Sequence, residues 1–152
     1  MNREDFTPIG IAISRVALGA VIIAHSLYLK LVVFTLPGTA QFFVSIGLPA
    51  WLAYLVFTIE AVAGIALVVG WKVRIAAAAL LPVLIGATWA HWSGGWLFTN
   101  ANGGWEYPAF LASIGAAQFF LGAGAFALES RCWKSGGDRQ LHVTRSKIRQ
   151  PA

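Results

Sequence analysis

Charge and cysteine are both scarce in this chain. Lys, Arg, Asp and Glu make up 11% of its 152 residues, and Cys132 is the single cysteine. One thiol cannot form a disulfide within its own chain. Nor is there a CxxC pair, a cysteine-rich cluster or a Rossmann glycine pattern to carry electrons. Cys132 therefore reads as a small apolar residue at an interface rather than a reactive thiol. No segment alternates apolar and polar residues as the strands of a barrel would. Basic residues are missing from two whole stretches, 35–50 and 94–106. The net charge of +5 comes instead from Arg3, from Lys72 and Arg74, and from the six Lys and Arg between 131 and 149. That placement argues against a nucleic-acid surface.

What is abundant is apolar: hydrophobic residues make up 58% of the chain. Four long runs, about 9–34, 51–70, 73–93 and 107–128, can each cross a hydrocarbon core of about 30 Å at about 1.5 Å per residue. The expected fold is an all-α membrane protein, a four-transmembrane-helix antiparallel bundle. Its parts are an N-terminus over 1–8, a membrane domain over 9–128 and a basic tail over 129–152. With basic residues retained inside, both termini and the 71–74 turn face the cytoplasm. Glu4 and Asp5 beside Arg3, and the length of the first run, argue against a cleaved signal peptide.

Pro37-Gly38 is a turn signal ending the first helix. Thr39–Pro49 is too short to span and reads as a short helix along the outer interface, with Gly47 and Pro49 as its stop. Trp51, Tyr54 and Trp71 mark the ends of the second helix. The tight turn about Gly70 makes helices two and three antiparallel neighbours. Small residues at Ala109, Ala112, Ser113, Ala116, Ala123 and Ala127 give the fourth helix a close-packing stripe. The tail reads as mobile or held on the anionic inner leaflet.

Each ionisable group inside a membrane needs an account. Arg15 and Lys30 lie towards opposite ends of the first helix and can snorkel. Glu60 cannot: it lies about 13 Å below the outer end of the second helix. His25 is at a similar depth and is its expected partner. His91, Glu106, Trp92, Trp105 and Tyr107 reach the same outer half, so a site is expected there. Its catalytic pair would be Glu60 and His25, with the other five lining a binding space. The inner half, rich in Ala, Val, Ile and Leu, is expected to be dry packing, and no metal site is expected.

Several segments together resemble the DoxX family of small bacterial and archaeal membrane proteins, over about residues 10–128. They are Arg15-Val-Ala-Leu-Gly19, His25-Ser-Leu-Tyr-Leu-Lys-Leu31, Phe43-Val-Ser-Ile-Gly-Leu-Pro49, Glu60-Ala-Val-Ala-Gly64, Gly70-Trp-Lys-Val-Arg-Ile-Ala-Ala77 and Gly103-Gly-Trp-Glu-Tyr107. Ser26 departs from the glycine common after the histidine. The resemblance implies a four-helix bundle in the cytoplasmic (inner) membrane, associated with redox systems. The first functional expectation is a subunit of a respiratory oxidoreductase complex, offering a quinone-binding or proton-delivering site. Haem on His25 and His91 ranks behind quinone as a cofactor. Expected partners are membrane lipid, a protein of the same complex and a second copy of the chain. The alternative is a non-catalytic anchor or assembly subunit. A channel using Glu60 ranks last, because four short helices leave little room for alternating access.

Overall fold

A computed structural model describes residues 6–101 and 103–129. Cys132, the N-terminal residues 1–5 and nearly all of the basic tail lie outside the described residues. Among the described residues all regular structure is helical. Helix α1 runs Thr7–Ile23 and continues without a break as a π-helix over Ala24–Val33. Then come α2 (Leu36–Ser45), α3 (Trp51–Val69), α4 (Val73–Ala90) and, after a 3₁₀ turn at Trp92–Gly94, α5 (Glu106–Leu121). Three helices, Thr7–Val33, Trp51–Val69 and Val73–Ala90, are long and apolar enough to cross a bilayer. At 16 residues, α5 falls just short of the ~17 that a span requires. The chain is a multi-pass membrane protein whose exposed Phe, Ile, Val and Leu side chains meet lipid.

Glycines set two of the junctions. A Cβ on Gly19 would come within 2.9 Å of the Gly64 carbonyl oxygen, so α1 and α3 cross backbone against backbone at this pair. Gly70 closes α3 with φ 73°, its N–H bonded to Leu67 O and that of Trp71 to Ala66 O, a Schellman end. A Cβ on Gly70 would also come within 2.6 Å of the Ala127 Cα. Beyond this crossing, α1 and α3 share the buried Leu18, Ile22, Ala63 and Leu67, and α4 and α5 add Leu80, Leu84 and Leu111.

One end of α2 departs from the expectation. Pro37 does not sit in a terminating turn: the first helix has already ended, and Pro37 lies in the first turn of α2. Thr35 caps that turn, its hydroxyl oxygen accepting from the Gly38 N–H at 3.2 Å. The other end is as expected, with Gly47 at φ 82°.

The fourth apolar run is the larger correction. It was expected to stay helical to 128, but α5 stops at Leu121 and Gly122 turns the chain at φ 79°. Residues 122–127 then cross the end of the bundle as an irregular strap. Ala125 N–H donates to Pro8 O at 2.8 Å and Glu129 N–H to Gly70 O at 3.1 Å. Ala123 and Ala127, read as part of a helical stripe, belong to this strap. Two glycines within three residues, at 122 and 124, are the local cause: both adopt positive φ.

Candidate functional site

Glu60 is buried near the middle of α3, and its partner is Lys30. Nζ lies 2.5 Å from Oε2, with 19% of the lysine side chain and 8% of the glutamate side chain exposed. Two expectations are corrected here. His25 does not pair with Glu60, and Lys30 does not snorkel to the headgroups. The cause is helical register. Over Ala24–Val33 the backbone bonds from i to i+5 (Phe34 N–H reaches Leu29 O at 2.8 Å), and this wider turn rotates the residues beyond Ile23 relative to an α-helix. Lys30 thereby faces α3, and a buried carboxylate takes a cation in preference to a neutral imidazole.

The imidazole of His25 is held separately. Nδ1 donates to Val21 O at 2.9 Å, since a carbonyl oxygen can only accept. In the neutral ring that leaves Nε2 as the basic nitrogen. The ring stacks on Tyr107, from the first turn of α5, with centroids 5.7 Å apart and planes inclined by 28°. Ser26, fully buried, bonds its own helix at Ile23 O. Five residues separate His25 from Lys30 along this π-helix.

The remaining expected residues build the loop between α4 and α5. His91 stacks on Phe42 of α2 at 6.5 Å. Trp105 is sandwiched by Trp92, stacked at 4.9 Å, and Trp96, edge-on at 4.6 Å. Glu106 Oε1 accepts from the Phe98 N–H at 3.0 Å, pinning the loop to the start of α5. His91 and Glu106 thus have structural partners of their own, apart from the Lys30–Glu60 pair. Among the described residues no three His, Cys, Asp or Glu side chains gather as a metal site would need.

A second polar cluster occupies the opposite end of the bundle, where dry packing was expected. Arg15 is 1% exposed and its guanidinium donates to three backbone carbonyls: Leu67, Val68 at 2.9 Å and Ala125 at 3.3 Å. Leu67 and Val68 are in the last turn of α3, where carbonyls lack helical partners and a cation complements the dipole. Gln118, also buried, donates to Gly122 O and accepts from the Ser14 hydroxyl at 3.0 Å. Arg15 does not snorkel; it fastens the strap to α3. A carbonyl sink cannot be read from a sequence, whereas the opposite charges of Lys30 and Glu60 within apolar runs were a usable signal.

The DoxX family model matches residues 10–92, and the chain belongs to that family. The matched region contains Arg15 and its two carbonyl partners on α3, the Gly19–Gly64 crossing, the π-helix and the Lys30–Glu60 pair, and stops before α5 and the strap. The chain is also similar to a Bacillus subtilis (strain 168) protein named "Putative oxidoreductase CatD", at 37% identity over 79 residues, 52% of this chain. The chain spans 57% of the length of that curated relative. No solved structure matches it.

Proposed function

We propose that the protein is the membrane-embedded subunit of a quinone-linked redox complex, seated in a bacterial or archaeal inner membrane with its termini cytoplasmic. The observation that carries the reading is the buried Lys30–Glu60 pair, drawn from the same π-helix as His25, whose ring stacks on Tyr107. The name of the Bacillus relative supports the redox setting. The donor set suits a quinone headgroup, which presents two carbonyl oxygens and two flat faces. Lys30 offers N–H donors, and the rings of His25 and Tyr107 offer planar walls. A quinone supplies two-electron chemistry coupled to uptake of two protons.

The chain's own part would be proton handling and exclusion of water. Glu60, paired with Lys30, would supply the carboxylate of the site inside the bilayer. His25 would pass protons through Nε2, because Nδ1 is engaged by Val21 O. Electrons would arrive from a partner protein. His91, Trp92, Trp105 and Glu106 would shape the mouth above this site, extending the reading made from the sequence. The test is purification followed by lipid extraction, with quinone quantified per protein. Wild type should retain quinone, and Lys30→Met should lose at least about ten-fold of it, the effect of one lost charge-assisted bond. Purification with a stoichiometric protein partner and no quinone in either variant would favour the non-catalytic anchor.

A further inference from the structure

A groove separates α3 from α4 on the membrane-facing side of the bundle, with a volume of about 300 Å³. Its floor is made of small residues, Ala63, Ala66 and Ala76, with Ala79 on one wall and Val62 on the other. The groove is almost wholly apolar. The one hydroxyl among these residues, that of Thr58 at its far end, already donates to Tyr54 O at 2.8 Å. The groove exists because α4 packs more closely on α5 than on α3.

The other end of the groove is different. There Trp71 and Lys72 line it, both exposed, in the turn between the helices. Lys72 has φ 49°, a conformation uncommon outside glycine, and it stands at the start of α4, whose first turn has no side-chain cap and no acidic residue. From Thr58 to Trp71 the helical rise is about 20 Å, comparable to one leaflet's share, about 15 Å, of the hydrocarbon core. The groove therefore runs from headgroup level towards the middle of the bilayer, with a cation and an indole at the headgroup end.

We infer that this groove binds an anionic phospholipid, one acyl chain lying on the alanine floor and the phosphate resting on the Lys72 ammonium. The match is of charge at one end and of length and polarity along the rest. It is independent of the quinone reading, because Glu60 is turned towards the first helix and the groove lies on the α4 side of α3. Both walls are single helices with room for a larger side chain, which makes the groove simple to block.

The test is native mass spectrometry on protein reconstituted in vesicles of equimolar phosphatidylglycerol and phosphatidylcholine. Wild type should keep phosphatidylglycerol in preference to phosphatidylcholine. Lys72→Gln should cut that preference by about five-fold, the worth of one basic residue near an anionic headgroup. Ala79→Phe, or Val62→Phe should the first fail to fold, should reduce bound lipid of both kinds. Equal retention of the two lipids by wild type would overturn the inference, as would an unchanged ratio in Lys72→Gln. So would a groove-filling variant that turns a dimer into a monomer while keeping its lipid, because the occupant would then be a second copy.

Discussion

Arg15 and Lys30 are two cations in one apolar helix, and they use different sinks. Lys30 forms an ion pair, whereas the hydrogen bonds of Arg15 go to backbone oxygen. Their variants should behave differently for that reason. Removing one member of the Lys30–Glu60 pair strands the other in a medium of low dielectric. Because Lys30 keeps some exposure, the cost of Lys30→Met or Glu60→Leu should be about 2–3 kcal/mol, under that of a fully buried pair. The double variant should recover most of it, and a double-mutant cycle on thermal unfolding in detergent reads the coupling. At Arg15, Arg15→Lys should destabilise nearly as much as Arg15→Met. Three separate carbonyls need a planar fork, and an ammonium on a flexible stem reaches one of them well. Rescue by lysine would show that charge alone holds the strap.

Helix position was readable from the sequence, and helix register was not. The runs 51–70 and 73–93 match α3 and α4 closely, and 9–34 matches Thr7–Val33, because apolar length and the Gly70 stop are local properties. The partner of Glu60 was missed because His25 was chosen by depth and Lys30 was read as snorkelling, and nothing in His25–Lys30 announces ten residues of π-helix. The strap was missed because Gly122 and Gly124 were taken within an apolar run, where glycine is common in membrane helices. At the crossing of α1 and α3 the stakes are steric. Gly64→Leu should break the contact, since even a Cβ would lie 2.9 Å from Ile23. A loss of roughly 2–4 kcal/mol is expected from overpacking at this site, seen as a lower midpoint in detergent unfolding. Gly64→Ala should cost less, because its single methyl crowds only Ile23 Cγ1, Ile22 and the Gly19 carbonyl.

Across the whole molecule, the two polar clusters sit at opposite ends of the bundle and contain different chemistry. The Arg15 end shares its side with Lys72 and Arg74, which follow the Gly70 turn, so it is the expected cytoplasmic end. A reporter fused after Ala152 should be active only in its cytoplasmic form, and one inserted between Gly94 and Gly95 only in its periplasmic form. The reverse pattern would turn the Lys30–Glu60 site to the inner face.

The strap also has a meaning in time. Ala125, which completes the carbonyl set around Arg15, follows it by 110 positions. At synthesis rates of about 5–20 residues per second, the first helix waits on the order of ten seconds for that contact. Lys30 waits less, since Glu60 follows it by 30 positions. A nascent chain with only its first helix made thus presents two unanswered cations to the insertion machinery. The ion pair is answered first, and the end closes only when Ala125 arrives. The order of synthesis therefore fixes an order of assembly, in which the candidate site forms early and the lock at the other end forms late.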